Sequence, residues 1–92
     1  MAKTVVRQEV FYAGRVQGVG FRYTVRQVAQ GFEVTGQVKN LPDGRVHLIA
    51  EGDETELQSF LGEILAQMQH YIKETETRVL DGPAAFRDFH IG

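Results

Sequence analysis

The fold is decided by the stretch Val34-Thr-Gly-Gln-Val-Lys-Asn-Leu-Pro-Asp-Gly-Arg-Val-His-Leu-Ile-Ala-Glu51. Its centre, Leu41-Pro-Asp-Gly44, is a turn sequence, because proline presets φ and glycine closes the turn. The runs on either side, 34–40 and 45–51, read as strands. The second run carries its apolar side chains at alternate positions: Val46, Leu48 and Ala50. The stretch therefore predicts a β-hairpin in the middle of the chain.

A strand and a helix are predicted before the hairpin. Residues 5–13 are rich in Val, Phe and Tyr and indicate a strand, and residues 14–20 hold three glycines, which indicate a loop. Apolar residues then recur at helical spacing: Phe21, Val25, Val28, Ala29 and Phe32. Gly31 and Glu33 leave the end of this helix open.

A second helix and two strands are predicted after the hairpin. Asp53-Glu-Thr-Glu56 is a variant of the capping box, with Asp53 as N-cap and Glu56 reaching back from the third helical position. The apolar positions of this helix are Leu57, Phe60, Leu61, Ile64, Leu65 and Met68. Residues 71–80 predict an exposed edge strand. Asp81-Gly-Pro83 breaks the chain, and residues 86–91 predict a short last strand.

The predicted order is β-α-β-β-α-β with a short extra C-terminal strand. Two βαβ halves joined by a hairpin imply an α+β, ferredoxin-like split βαβ sandwich, an antiparallel sheet with both helices on one face. The chain of 92 residues suffices for one core and forms a single domain, residues 1–92. This fold hosts many functions, so the chemistry must be argued from particular residues.

Composition excludes several kinds of site. The chain has no cysteine, which rules out disulfides, iron–sulfur clusters, thiolate zinc sites and a cysteine nucleophile. Its three histidines lack metal-ligand spacing, so we expect no metal and no cofactor. A net charge of −2 and the lack of a stacking-aromatic pattern argue against a nucleic-acid partner.

The start of the chain and its apolar runs bear on location. Met1-Ala-Lys-Thr4 leads into a strand-like run and is not typical of a signal peptide. No apolar stretch approaches the length of a membrane span. We therefore expect a cytoplasmic protein without a membrane partner. A monomer is expected because the sequence shows no apolar surface stripe.

Charge is unevenly distributed along the chain. Residues 1–46 hold seven Lys or Arg against three Asp or Glu, a net of +4, and residues 47–92 hold three against nine, a net of −6. The first half is able to present a positive potential to a small anion. Scattered, solvated charge is the alternative interpretation.

The glycine loop enters a helix whose second residue is Arg22. The first amides of a helix have no intrahelical partner, and a glycine-rich approach lets further amides enclose an anion. A cation in the first turn is disfavoured by the helix dipole by about 0.3–1 kcal/mol, an effect that a bound anion offsets. Arginine also matches phosphate or carboxylate oxygens with two donors. A tight connection that merely needs positive φ is the alternative.

Asn40 is the second polar candidate. It closes the first strand of the hairpin, where its side-chain amide is able to hold a water molecule through a donor and an acceptor together. The alternative is ordinary turn chemistry, since asparagine is common before a turn.

Two stretches resemble the signatures of the acylphosphatase family. The first is Gly14-Arg-Val-Gln-Gly-Val-Gly-Phe-Arg22, and the second is Gly36-Gln-Val-Lys-Asn40 followed by Gly44-x-Val46 and Gly52. The resemblance extends to the closing Phe89-x-Ile91 and so covers nearly the whole chain. Gln37 departs from the family, which usually has an aromatic residue there. Glu33 replaces a usual glycine, so either Gly31 ends the helix early or Glu33 is strained.

The resemblance implies a metal-independent hydrolase that converts acyl phosphates to carboxylate and inorganic phosphate. It implies that Arg22 binds the phosphoryl group by charge and that Asn40 orients the attacking water. The loop residues whose amides it assigns to the phosphoryl oxygens are Arg15, Val16, Gln17, Gly18, Val19 and Gly20. No base stands near the loop in sequence, so we hypothesise that a substrate oxygen takes the proton of the water.

Two other functions remain open at this point. The first alternative is an acylphosphatase-like domain that holds phosphate or carbamoyl phosphate without turnover, as in the domain fused to hydrogenase maturation proteins. The length of the chain argues against this, because such domains come attached to a larger partner. A regulatory or nucleic-acid-binding ferredoxin-like module is disfavoured by the acidic net charge.

Overall fold

The structure is a computed structural model that describes residues 5–92. The sequence-based reading of Met1–Thr4 therefore lies outside the described residues. The helices and strands in chain order are β1 Val6–Gly14, α1 Phe21–Ala29, β2 Val34–Asn40, β3 Val46–Gly52, α2 Glu54–Met68, β4 Ile72–Leu80 and β5 Phe89–Ile91. The predicted element order, including the short last strand, is confirmed.

The strands form one sheet in the order β4-β1-β3-β2-β5. The four long strands pair antiparallel, as predicted, and β2 and β3 form the central hairpin with Asn40 opposite Val46. The sheet is mixed, however, because β5 pairs parallel with β2. This direction follows from the path of the chain. β4 runs opposite to β1 and β2, so a chain that turns back after Leu80 enters the far edge in the direction of β2.

Both helices cover the same face of the sheet, as the sequence predicts. Alternate strand residues point into this layer and are buried: Val10, Tyr12, Val38, Val46, Leu48 and Ala50. The helices contribute Phe21, Val25, Val28, Leu57, Phe60, Ile64 and Met68. Each large apolar side chain that is fully buried stabilises the fold by roughly 1.5–3 kcal/mol. The core therefore fixes where the ends of β1, β2 and α1 lie relative to one another.

The first helix is shorter than its apolar spacing suggests. It ends at Ala29, and the amides of Gln30, Gly31 and Phe32 donate to carbonyls three residues back. The chain thus tightens into a last turn of the 3₁₀ kind. Every described non-glycine residue has a negative φ, so Glu33 carries no left-handed strain. Of the two possibilities, the early end is the one found.

The N-cap of the predicted capping box is confirmed, and its second hydrogen bond is not. Asp53 caps α2, because its carboxylate accepts the amide N–H of Thr55 at 3.1 Å. Glu56 does not reach back to the amide of Asp53. Its Oε1 accepts the amide N–H of Glu33 at 2.9 Å, because the turn after α1 delivers that amide to the start of α2. Glu56 therefore ties the two helical halves together, which local sequence does not reveal.

A buried carboxylate holds the segment that leads to β5. Glu51 is 2% exposed and accepts hydrogen bonds from Arg7 Nε at 2.9 Å and from the amides of Ala85 and Phe86 at 2.9 and 2.8 Å. Burial on its own raises the pKa of Glu51, but the hydrogen bonds from Arg7 and from the two amides outweigh it, so the pKa lies below its ordinary value. Residues 81–88 are thereby fixed on their way to the β2 edge.

The pKa of Glu51 generates a stability prediction. A carboxyl whose pKa is lower in the folded state contributes stability above its unfolded pKa, about 4.3 for glutamate, and loses it as pH falls through the folded pKa. Glu51→Gln leaves Arg7 without its charge partner and should lower the free energy of unfolding by roughly 3 kcal/mol near neutral pH. Urea denaturation at about pH 7 and about pH 3 measures this, with the deficit smaller at the acidic value.

Glu74→Gln, an exposed residue on β4, is the matched control and should change neither value. An equal deficit of Glu51→Gln at both pH values would contradict the role assigned to the charge of Glu51.

Candidate active site

Two glycines shape the loop between β1 and α1. Gly18 and Gly20 have φ values of 79° and 77°, in the left-handed region that favours glycine. A Cβ at either position would meet nothing within 4 Å, so backbone conformation rather than crowding requires glycine here. Gly20 immediately precedes α1 and has no side chain to cap the helix. The helix N-terminus is consequently left open.

The backbone amides of residues 16–23 have no hydrogen-bond acceptor within residues 5–92. The first helical bond runs from the amide of Thr24 to the carbonyl of Gly20 at 2.9 Å. Arg15, by contrast, donates its amide to the Tyr71 carbonyl at 2.9 Å. Of the loop amides predicted to bind an anion, that of Arg15 is therefore already bonded, whereas those of residues 16–20 are unpaired, as are those of the first turn of α1. Unpaired amides at a helix start favour a negatively charged group.

Arg22 lies in the first turn of α1 with its side chain half-buried. Within the described part of the chain it makes no ion pair with a carboxylate. Its charge therefore adds to the positive end of the helix dipole, and no carboxylate of residues 5–92 compensates it. An anion at the unpaired amides would be attracted by the charge of Arg22 and by the helix dipole.

Asn40 stands at the end of β2, and its side-chain oxygen is orphaned. The Oδ1 atom is buried and has no hydrogen-bond partner among residues 5–92. A buried polar atom without a partner costs about 1–3 kcal/mol, and such atoms call for an explanation. Ordinary turn chemistry does not supply one, because the turn amides bond elsewhere: Leu41 to Arg45, Gly44 to Leu41 and Arg45 to Asp43.

One small pocket, called here the Arg22 pocket, brings these groups together. It measures about 170 Å³ and is lined by Val16, Gly18, Gly20, Phe21, Arg22, Tyr23, Asn40 and Ile91. Residues from the loop, the helix and the hairpin therefore meet at one place. Three predicted loop residues do not line it: Arg15, Gln17 and Val19. Val19 packs on the core instead.

The side chain of Gln17 holds the loop against the hairpin through two hydrogen bonds. Its Nε2 donates to the carbonyl oxygens of Leu41 at 2.8 Å and Arg45 at 3.0 Å, on both sides of the turn that follows Asn40. Val16, only 1% exposed, anchors the neighbouring position in the core. The sequence suggested only an amide contribution from Gln17. The side-chain role was missed because both partners are distant backbone atoms, which no local pattern reveals.

No carboxylate or imidazole of the described residues lines the Arg22 pocket. Its polar side chains are Arg22, Tyr23 and Asn40. Tyr12 lies close by, with its ring centroid 5.0 Å from that of Phe21, and burial raises its pKa above the ordinary value. The phenol of Tyr12 therefore stays neutral. The pocket is equipped to hold an anion and to orient a polar molecule, but it offers no base.

Two wall residues could not be read from the sequence as part of a site. Tyr23 and Ile91 line the pocket, and Ile91 reaches it only because β5 joins the β2 edge.

Over residues 5–92 no three His, Asp or Glu side chains cluster so as to hold a metal ion. In the same range no helix is both long enough and apolar enough to cross a membrane.

Comparison with known proteins decides the family. The profile of the acylphosphatase family matches residues 8–91. This chain belongs to the acylphosphatase family. The family and the enzyme class predicted from the two signatures, an acylphosphatase hydrolase, are thereby confirmed.

Individual relatives agree. The acylphosphatase of Bacillus subtilis (strain 168) is 41% identical over 87 residues, which cover 89% of this chain and 94% of that protein. A crystal structure of acylphosphatase from Bacillus subtilis superposes with a TM-score of 0.84 at 33% identity, over 95% of this chain and 98% of that one. An acylphosphatase structure from Coxiella burnetii superposes with a TM-score of 0.83 at 26% identity, over 98% of this chain and 95% of that one. The ferredoxin-like fold is therefore shared by structures of the family.

The pinning of the loop by Gln17 is testable in this acylphosphatase. Gln17→Leu keeps the size of the side chain but removes both hydrogen bonds to the hairpin. We expect a loss of about 1 kcal/mol in the free energy of unfolding and weaker binding of inorganic phosphate, because the loop is no longer held against the turn. Urea denaturation and isothermal calorimetry measure the two effects.

Gln67→Leu is the matched control, since within the described residues the side chain of Gln67 bonds Glu63 alone, on the exposed face of α2. Unchanged phosphate affinity in Gln17→Leu would show that the hydrogen bonds to the hairpin do not organise the loop.

Proposed function

We propose that this chain hydrolyses acyl phosphates, the mixed anhydrides of carboxylic and phosphoric acids, to carboxylate and inorganic phosphate. One observation carries the proposal. Arg22, which makes no ion pair within the described residues, and Asn40, whose buried Oδ1 has no hydrogen-bond partner there, line the same small pocket beside unpaired amides. Family membership supplies the substrate class.

The phosphoryl group is bound by the loop and by Arg22. The amides of residues 16–20 and of the first turn of α1 donate to its oxygens, and the guanidinium adds two charge-assisted donors. Phosphoryl transfer depends mainly on positioning and on stabilising charge on the equatorial oxygens. Donors fixed in advance by the backbone provide both, because they need no rearrangement as the charge develops.

Asn40 orients the attacking water. Its buried Oδ1 accepts a hydrogen bond from the water, which satisfies an atom that otherwise lacks a partner. The water oxygen then attacks phosphorus in line with the carboxylate that leaves. The P–O bond to the acyl group breaks as the new P–O bond forms. Because no base lines the pocket, a phosphoryl oxygen takes the proton of the water.

The alternative is a domain that binds phosphate without turning substrate over. The amides and Arg22 serve that function equally well. Asn40 separates the two functions, since a buried acceptor without a partner serves the orientation of a water molecule and has no use in a module that only binds phosphate. The monomeric state, the cytoplasmic location and the lack of nucleic-acid or membrane partners stay predictions.

Hydrolysis of benzoyl phosphate in the presence of EDTA tests the proposal. We expect metal-free turnover by the wild type, and a loss of at least about 10²-fold in both Arg22→Ala and Asn40→Ala, the usual effect of removing one fixed donor. Arg26→Ala removes a charge one turn further along α1 and should leave the rate unchanged.

Calorimetry with inorganic phosphate assigns the two roles. Arg22→Ala should lose phosphate binding, whereas Asn40→Ala should retain it, because Asn40 acts on the water rather than on the phosphoryl group. Equal loss of affinity in both variants would contradict the role of Asn40. A wild type that binds phosphate without hydrolysing benzoyl phosphate would establish the binding module instead.

A further inference from the structure

A second pocket adjoins the start of the loop. It is lined by Gly14, Arg15, His70, Tyr71 and Lys73, measures about 850 Å³ and is open to solvent; it is called here the basic pocket. It shares no lining residue with the Arg22 pocket. Arg15 lines the basic pocket while Val16, the next residue, lines the Arg22 pocket, so the two cavities are neighbours along the loop.

The backbone fixes the basic pocket to the loop. Gly14 has a φ of 133°, and a Cβ there would collide with the carbonyl oxygen of Tyr71 and the amide of Lys73. The amide of Arg15 donates to the same Tyr71 carbonyl at 2.9 Å. The end of β1 and residues 71–73 therefore pack flush against each other. A group bound in one pocket is held in a defined position relative to the other.

A β-bulge directs Lys73. Ala13 pairs with Glu74 and Gly14 pairs with Ile72, which leaves Lys73 as the extra residue on β4. Such a bulge re-aims side chains locally and is frequent beside active sites. Ile72 consequently packs against the core, while Lys73 joins Arg15 in the basic pocket.

No carboxylate in the described part of the chain neutralises the charges in the basic pocket. Within the described residues, the side chains of Arg15, His70 and Lys73 form no ion pair or hydrogen bond. Glu74, the adjacent acid, lines a different cavity together with Phe11 and Arg45. Two like charges at one site repel each other, and a bound anion relieves that repulsion. His70 offers an N–H donor in either protonation state.

We propose that the basic pocket binds a second anionic group, a carboxylate or a phosphate, at the acyl end of the substrate. The inference rests on the proposed function and names its substrate class: acyl phosphates that carry a further negative charge. The phosphoryl group occupies the Arg22 pocket, and the acyl part extends past Arg15 toward Lys73. The half-exposed ring of Tyr71 supplies an apolar wall for that part.

Rigid substrates test this directly. The 3- and 4-carboxybenzoyl phosphates carry the extra charge at two fixed positions, and the 3- and 4-methylbenzoyl phosphates are uncharged counterparts of similar shape. We expect at least one carboxylated isomer to have a KM about fivefold lower than its methyl counterpart, the upper range for an exposed ion pair. Raised salt should reduce the difference.

Two variants locate the effect. Lys73→Met and His70→Leu should raise the KM of the preferred carboxylated substrate toward that of its methyl counterpart and leave hydrolysis of the methyl compound unchanged. Arg78→Gln is the control: it also removes a charge from β4, about 17 Å along the strand from Lys73, and should keep the preference. Free isophthalate and terephthalate, added during hydrolysis of the methyl compounds, distinguish a substrate-borne anion from a separate effector.

The outcomes separate the two proposals. Hydrolysis of the methyl compounds without preference for either carboxylated isomer would overturn the basic pocket and leave the proposed function intact. A preference that survives in Lys73→Met and His70→Leu would also overturn it. Free dicarboxylates that change the rate with the methyl compounds, without any preference among substrates, would make the pocket an effector site and contradict the substrate assignment. A wild type that hydrolyses none of these compounds would overturn the proposed function and this inference with it.

Discussion

A run of backbone amides at the junction of β1 and α1, residues 16–23, has no acceptor within residues 5–92. Unpaired amides are costly when they are withdrawn from water, so a chain keeps them together only where the fold enforces it. The left-handed glycines at 18 and 20 and the absence of a capping side chain leave these donors available. The site depends on this arrangement, because its donors are backbone atoms whose positions follow from the path of the chain.

Three independent contacts hold the loop in place. Val16 is buried in the core, Gln17 donates to both sides of the hairpin turn, and Arg15 donates to Tyr71. The first contact ties the loop to the helix layer, and the others tie it to β2–β3 and β4. Asn40 is placed by sheet register, opposite Val46, so the same hairpin carries both the anchor of the loop and the orphaned acceptor. A small shift of any of these elements would move the loop amides away from Asn40.

Local pattern was sufficient for most of the fold. The turn at 41–44, the alternation of β3 and the helical spacing from Leu57 to Met68 are short-range signals, and each predicted its element. What failed depends on distant partners. Glu56 bonds the amide of Glu33 in the other half of the chain, and the parallel pairing of β5 follows from the course of the chain after β4. The end of α1, which the sequence left open, is formed by local bonds between residues three apart.

The features of the site also differ in whether local sequence or distant partners determine them. The glycines and the position of Arg22 follow from the sequence, because loop conformation and the helix start are local properties. Three other features do not follow from the sequence, because each depends on residues far away along the chain. They are the hydrogen bonds of Gln17 to the hairpin, the place of Ile91 in the pocket wall and the hydrogen bond of the Arg15 amide. Asn40 was a candidate from its position before the turn, and the family resemblance implied its role. The structure adds that its Oδ1 is buried without a partner among the described residues.

Amide chemical shifts during a titration with inorganic phosphate test the central claim most directly. If the loop and the first turn of α1 are the anion site, saturable shifts should be largest for the amides of residues 16–23, and the hydrogen-bonded amide of Arg15 should move much less. Unchanged amides at 16–23, with phosphate binding elsewhere or not at all, would contradict the account.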